Sequence, residues 1–114
     1  MRVAKISTEQ IDDVTVVTLA GKISRRAGAT ALRGVVSDAI DQGRRKLLLD
    51  LSAVTTMDAA GLDELLAAAM NMSKHGGQLR LAALPPNITD LLVIRQRIDA
   101  FRVYDTQAEA LAAF

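Results

Sequence analysis

The first quarter of the chain alternates between apolar and polar residues, as half-buried β-strands do. Residues 2–9 alternate in this way, and a polar stretch containing Asp12 and Asp13 follows them. Residues 14–19 (VTVVTL) then form a β-branched run. Because aspartate tolerates turn dihedrals, the two runs predict a hairpin that turns near the aspartate pair, and Gly21 is expected to end the second strand.

The pattern changes to a helical period from about Ala27. The residues predicted to face inward from this first helix are Leu32, Val35, Val36, Ala39 and Ile40. Gly43 is expected to end the helix, since glycine adopts the left-handed conformation that follows many helices. Residues 47–49 are continuously apolar and bounded by charge, which predicts a strand covered on both faces, as strands of parallel sheets are.

A second amphipathic helix is predicted to follow Asp58 and to end at Gly76 and Gly77. Its predicted inward residues are Leu62, Leu65, Leu66, Ala69, Met70 and Ser73. Asp58 directly precedes the helix, so its carboxylate is expected to accept the free amide hydrogens of the first turn. Met72 lies off this face, and Val93 lies off the inward face of the next helix. These two are candidates for exposed apolar residues that contact another protein.

The last third of the chain predicts two more strands, each followed by a helix. The strands are residues 78–84 and 101–104, and the helices are residues 87–97 and 106–114. The predicted inward residues are Ile88, Leu91 and Leu92 in the first helix and Ala108, Leu111 and Ala112 in the second. Pro85 and Pro86 open the first helix, and Thr106 with Glu109 forms a capping box at the second.

The element order ββαβαβαβα predicts an α/β fold with a mixed sheet and about four helices. The first hairpin is antiparallel, and the later strands are joined by right-handed crossovers, which makes them parallel. The chain has 114 residues, a length at which one domain, residues 1–114, buries an ordinary apolar core.

Composition then limits the chemistry. The chain has no Cys and one His, which excludes a disulfide framework, a Cys zinc site and a multi-histidine metal site. We therefore expect no metal and no cofactor. The 14 Lys and Arg balance 13 Asp and Glu, and only 3% of residues are aromatic. Because nucleic-acid binding needs a clustered basic footprint and usually stacking rings, a nucleic-acid partner is not expected.

Hydropathy predicts a chain that does not enter a membrane. No run approaches the roughly 18 apolar residues of a membrane helix, and the first residues, MRVAKISTEQ, lack the apolar stretch of a signal peptide. The expected location is the cytoplasm.

Three residues are candidates for catalysis, and a structural role explains the position of each more simply. An aspartate before a helix, such as Asp58, is usually its cap. Asp50 is expected at a strand end, where loop amides satisfy a carboxylate. His75, in the last turn of a helix, is a favourable dipole partner. Neither a Ser/His/Asp triad nor a nucleotide-binding glycine motif can be assembled, so we predict no catalytic residues and no enzyme.

The chain carries Asp-Leu-Ser at residues 50–52, the apolar-Asp-x-x-Gly-Leu pattern at residues 57–62 and Gly-Gly at residues 76–77. With these motifs, residues 47–84 resemble the central part of the STAS domain, the fold of bacterial anti-sigma factor antagonists. Val54 is similar to the family's buried loop residue. The resemblance extends over nearly the whole chain, and it implies a regulatory protein that switches between protein partners. The implied partner is an anti-sigma factor with a serine-kinase-like fold.

The resemblance also implies a contact surface in the loop and first turns of the second helix. Its residues are Thr55, Thr56, Met57, Asp58, Ala59, Ala60, Gly61, Asp63 and Glu64. In the family, a serine two residues after the capping aspartate is phosphorylated by the anti-sigma factor, which is then released. Ala60 occupies that position here. The resemblance therefore implies an antagonist whose phosphoacceptor position is degenerate.

A second departure from the family follows the second strand. Where the family usually has Gly-Glu-Leu-Asp, this chain has Gly21, Lys22, Ile23 and Ser24. Lys22 and Ser24 thus replace two acidic residues at positions expected to be exposed beside the partner.

Some alternatives stay open at this point. Thr55 and Thr56 carry hydroxyls near Ala60, and either could replace the missing acceptor. The chain could instead be a STAS subunit of a multi-protein signalling assembly or of a lipid-transport ABC complex.

Overall fold

The computed structural model describes residues 5–25 and 28–114 and forms one five-stranded sheet of order β1-β2-β3-β4-β5. The strands are β1 (Lys5–Ile11), β2 (Val14–Ile23), β3 (Lys46–Met57), β4 (Gln78–Ala82) and β5 (Arg102–Tyr104). The helices are α1 (Ala29–Asp41), α2 (Ala59–Lys74), α3 (Pro86–Ile94) and α4 (Gln107–Ala112), with a short 3-10 helix at Ile98–Ala100. β1 is antiparallel to β2, and the other neighbours are parallel. The predicted fold class and element order are confirmed.

Helices cover both faces of the sheet, but unequally. α1, α2 and α3 pack on one face, where they bury Leu32, Leu65 and Ile88 with Leu47 and Leu49 of β3. The short helix α4 packs on the other face through a smaller apolar cluster of Val14, Val16, Leu48, Ala82 and Ala110. The leucines of β3 are fully buried, and each such side chain contributes about 1.5–3 kcal/mol by leaving water. The prediction of a strand covered on both faces is confirmed.

The predicted hairpin turns at the aspartate pair. Ile11 faces Val14 across the turn, and Asp12 has φ +54°. β1 continues to Ile11, beyond the predicted end of the alternation. The first part of that alternation, residues 2–4, and the predicted helix start at Ala27 lie outside the described residues.

β2 and β3 are both longer than predicted. Gly21 does not end β2: it has φ +90° and lies where the pairing of β2 with β3 shifts register, and the strand continues to Ile23. β3 continues beyond Asp50, the last residue that pairs with β4. Thr55 and Thr56, expected in a loop, therefore belong to β3, as does the buried Val54. The register shifts interrupt the alternation of side chains, which is why the pattern seemed to stop early.

Leu62 and Leu65 of the predicted inward face of α2 are buried, and Leu66 and Ala69 pack against the core, but the other two predicted residues are wrong. Met72 is buried, with 1% of its surface exposed, whereas Met70 is 71% exposed, and Ser73 is also exposed. Three consecutive alanines at residues 67–69 fit either face, so the pattern alone could not fix the rotation. Met72 is therefore a core residue rather than a candidate contact, while Val93 is 55% exposed as predicted.

The C-terminal helices also differ in detail. α3 ends at Ile94 rather than residue 97, because Gln96 takes φ +58° and the Arg97 amide donates to the Leu92 carbonyl at 2.8 Å, which closes the helix. In α4 the buried residue is Ala110. Ala108 and Ala112, predicted to face inward, are exposed.

Candidate protein-binding surface

The parallel strands β2 and β3 end side by side and bring the predicted contact residues to one corner of the fold. Lys22 pairs with Thr56, and Ile23 pairs with Met57. The chain then turns into α2 at Asp58, whose amide donates to the Ile23 carbonyl at 3.3 Å. A backbone hydrogen bond thus links the start of α2 to the end of β2.

Gly61 allows this attachment to be close. The residue is buried, and a Cβ atom added to it would lie 2.5 Å from the Ile23 carbonyl oxygen and 2.9 Å from Met57 Cγ. No larger residue fits without displacement of the backbone of β2. The close approach therefore fixes the position of the first turn of α2 against the sheet.

Asp58 caps α2. It has an extended backbone, and its Oδ1 accepts a hydrogen bond from the Gly61 amide at 2.8 Å. An N-cap of this kind satisfies one of the free amides of the first turn. The first turn itself contains no acidic residue, and Ala59 and Ala60 are half-buried there. Two methyl groups therefore occupy the helix start, where the macrodipole favours negative charge.

We call the accessible part of this region the α2 corner. It consists of Lys22, Thr55, Thr56, Met57, Asp58, Ala59, Ala60 and Asp63, all of which are exposed or half-buried. Gly61 is buried and is not part of the accessible surface, but its close packing against β2 holds the corner in place.

Glu64 has a different role from the one predicted. Its carboxylate accepts two hydrogen bonds from the Arg33 guanidinium, at 2.8 and 2.7 Å, and its side chain is only 14% exposed. The hydrogen bonds and charge of Arg33 lower the pKa of Glu64, and those of Glu64 raise the pKa of Arg33. Glu64 therefore joins α2 to α1. Sequence reasoning missed Arg33, because nothing in the pattern pairs two residues so far apart in the chain.

Ser24 does not lie where the sequence placed it. It is 7% exposed, not exposed as expected. It forms a parallel bridge with Gly28, and its carbonyl accepts from the Ala29 amide at 3.3 Å. The chain turns inward after β2 to start α1, which buries Ser24. Lys22 is exposed. Of the two residues that differ from the family pattern, Lys22 and Ser24, only Lys22 is therefore accessible to a partner.

Asn87 is a second residue that sequence reasoning missed. Its Nδ2 donates to the carbonyl oxygen of Thr55 at 2.8 Å, which ties the first turn of α3 to the end of β3. A side-chain amide that satisfies a backbone carbonyl at a strand end holds that strand in place. The α2 corner is therefore held by α3 as well as by β2.

The remaining candidate residues have structural roles. Asp50 lies within β3 rather than at a strand end as predicted, and its Oδ1 accepts from the Ser52 amide of the same strand at 2.9 Å. His75 Nδ1 lies 2.9 Å from the Asn71 carbonyl oxygen at the end of α2. Among residues 5–25 and 28–114, no three His, Cys, Asp or Glu residues come together as metal ligands. Within those same ranges, no helix has the length and apolarity that crossing a membrane would require.

Comparison with known proteins matches this geometry to one family. Residues 5–110 match the STAS domain. The anti-sigma factor antagonist BtrV of Bordetella bronchiseptica is 28% identical over 110 residues, which cover 96% of this chain and 94% of that protein. An anti-sigma factor antagonist from Mycobacterium paratuberculosis is 27% identical with a TM-score of 0.85, over 96% of this chain and 92% of that one.

A third relative shares the fold at lower identity. A crystal structure of an anti-sigma factor antagonist from Thermotoga maritima has a TM-score of 0.87 at 20% identity, over 95% of this chain and 92% of that one. The likeness extends over nearly the full length of all three relatives. The chain therefore belongs to the STAS domain family, and over nearly its whole length it is similar to anti-sigma factor antagonists.

Proposed function

We propose that this protein binds an anti-sigma factor with a kinase-like fold through the α2 corner, and that it cannot be released by phosphorylation at the usual position. Two full-length relatives above 25% identity are anti-sigma factor antagonists by name, which supports the class of partner. One observation supports the second part of the proposal, the absence of release by phosphorylation. Ala60 lies half-buried in the first turn of α2, at the position where the resemblance to the family implies a phosphoacceptor serine.

The physical reason is the charge that phosphorylation adds. A phosphate brings about −1.5 to −2 charge, and burying a poorly compensated charge in an interface costs several kcal/mol. Such a cost suffices to break a micromolar contact. The Ala60 methyl group accepts no phosphate. The protein is therefore expected to stay bound to its partner whether or not ATP is present.

The surroundings of Ala60 suit a docking surface. The capping bond of Asp58, the close approach of Gly61 to Ile23 and the hydrogen bond of Asn87 to Thr55 hold the corner in one conformation. A surface that is already ordered loses little conformational entropy when a partner binds. Lys22 adds a positive charge where the family usually has an acid, so we propose that it selects among partners.

Matched helix positions provide the test. Ala60 and Ala108 both occupy the second position of a helix, and α4 lies on the opposite face of the sheet. We expect Ala60→Glu to weaken binding to a purified kinase-like anti-sigma factor from the source organism by about 1–3 kcal/mol. Ala108→Glu, as the control, should leave that affinity within about 0.5 kcal/mol.

Isothermal titration calorimetry would measure both affinities, and circular dichroism would check both folds. Equal affinities of the two folded variants for a partner that binds the wild type would remove the α2 corner from the interface. Failure of the wild type to bind every such anti-sigma factor would remove the partner class itself.

A further inference from the structure

β1 is an edge strand whose outer side is unpaired within the described residues. The sheet order places it at one end, with β2 as its neighbour. Ile11 and Val14 flank a two-residue turn, and such flanking residues exchange hydrogen bonds within the hairpin. By alternation, Ile6, Thr8 and Gln10 direct their N–H and C=O groups away from β2. An edge of this kind is a template for pairing with another strand.

The other edge of the sheet is much shorter. β5 has three residues, whereas β1 has seven, Lys5–Ile11. The exposed residues of β1 are Lys5, Ser7, Thr8, Glu9 and Gln10. In the described part of the chain β2 is the only ladder partner of β1, and neither Lys5 nor Glu9 forms an ion pair there. Within those residues β1 therefore presents backbone groups and charges that lack partners.

The charge pattern of β1 is complementary to itself when the strand is reversed. In an antiparallel pair of two β1 strands centred on Ser7, Lys5 of each copy lies opposite Glu9 of the other. These are non-hydrogen-bonded pairs, in which opposite side chains come closest. Ile6 and Thr8 then form the hydrogen-bonded pairs, which matches the outward direction of their backbone groups.

The neighbouring register lacks this match. Centring the pair on Thr8 places Lys5 opposite Ile11 and Ser7 opposite Glu9, so that each charge meets an uncharged residue. Opposite charges in cross-strand pairs are favourable, so they select the register centred on Ser7.

We propose that two copies of this chain associate through β1, antiparallel and centred on Ser7, to form one continuous sheet. The proposal does not depend on the proposed function. In the described structure the main contacts of α2 are with α1, β4 and β3. The sheet order places β2 between β1 and β3, so in each copy the helix part of the α2 corner lies away from the paired edge.

Cysteine trapping tests the register, because the chain has no cysteine of its own. In the proposed pair the two Ser7 residues face each other at a non-hydrogen-bonded position, where Cα atoms lie about 4.5 Å apart, within the range of a disulfide. We expect Ser7→Cys to form a covalent dimer on mild oxidation. Thr8→Cys, the matched control, should stay largely monomeric.

Charge reversal tests the same pair in solution. We expect Lys5→Glu and Glu9→Lys each to weaken dimerisation roughly fivefold or more in sedimentation equilibrium, since each places two like-charge pairs across the strands. The double variant restores both pairs and should restore the dimer. Circular dichroism confirms that each variant is folded.

Four results would overturn the proposal. The first is a wild-type chain that stays monomeric at millimolar concentration. The second is trapping of Thr8→Cys as efficiently as Ser7→Cys. The third is a pair of single charge variants that associate as well as the wild type. The fourth is a double variant that associates no better than the single variants.

Discussion

Gly61 and the carbonyl group of Ile23 lie in direct contact, so close that a Cβ atom on Gly61 would lie 2.5 Å from the carbonyl oxygen. The contact joins the first turn of α2 to the end of β2. It therefore positions the helix that carries Ala60 against the sheet.

Gly61→Ala should destabilise the protein by about 1–3 kcal/mol, because the added methyl group forces the backbone of β2 to move. Gly34→Ala is the matched control. Gly34 lies in α1, and a Cβ atom there would meet nothing within 4 Å. Replacing a glycine inside an exposed helix by alanine should stabilise the protein by about 0.5–1 kcal/mol. Urea denaturation of both variants measures the two effects, and changes of the same sign would contradict this account of Gly61.

Asp58→Ala removes the cap of α2 and should lower stability by about 0.5–2 kcal/mol. In a domain of this size that corresponds to a fall of several degrees in melting temperature. Asp63→Ala, at an exposed position of the same helix, should change stability by less than about 0.5 kcal/mol. An unchanged melting temperature in Asp58→Ala, combined with loss of an activity, would show that Asp58 is a functional carboxylate instead.

The ion pair of Glu64 with Arg33 predicts a dependence of stability on pH. Arg33 lowers the pKa of Glu64 in the folded protein, so the pair stabilises the fold above the unfolded pKa of about 4.3. That contribution is lost as the pH falls through the lower, folded pKa. Because Arg33 is exposed, water screens the pair and the contribution to stability is small.

Glu64→Gln should therefore be less stable than the wild type at pH 7, and the difference should shrink towards pH 3. Unfolding by guanidinium is unsuitable, since its salt screens the pair, so urea denaturation at several pH values is the measurement. An equal difference at pH 7 and pH 3 would show that the pair does not carry the effect.

The two departures from the family pattern should now behave differently. Lys22 is exposed and Ser24 is buried. Lys22→Glu should change affinity or partner choice while stability stays within about 0.5 kcal/mol. Ser24→Asp should instead destabilise the protein by at least about 1–3 kcal/mol, because it introduces a carboxylate into a buried position. Thermal melts of both variants decide this, and a stable Ser24→Asp protein would contradict the burial of that residue.

Much of the fold could be predicted because local patterns determine it. The β-branched runs around Asp12 and Asp13 predict the hairpin, and the fully apolar residues 47–49 predict a central parallel strand. The helix ends at Gly43 and Gly76 also agree with prediction, since both take a positive φ, at +75° and +76°. In each case the signal lies within a few residues of the structure that it specifies.

The errors arose where distant parts of the chain decide the structure. β2 and β3 extend beyond their predicted ends because the two strands keep pairing with each other after the register shifts. The alanines of α2 fit either face, and Gly61 at its start is buried against Ile23 of the distant strand β2. The bonds of Glu64 with Arg33 and of Asn87 with Thr55 join residues 31 and 32 positions apart. No local pattern encodes such pairs.

The most direct test of the central claim is the affinity of this protein for its kinase-like anti-sigma factor, measured before and after incubation with that kinase and ATP. The account predicts that the affinity of the wild type does not change, because Ala60 carries no hydroxyl group. Ala60→Ser, in contrast, should gain one phosphate by mass spectrometry and lose affinity by at least about 1–3 kcal/mol. Loss of wild-type affinity after incubation, with phosphate found on Thr55, Thr56 or another hydroxyl, would contradict the account.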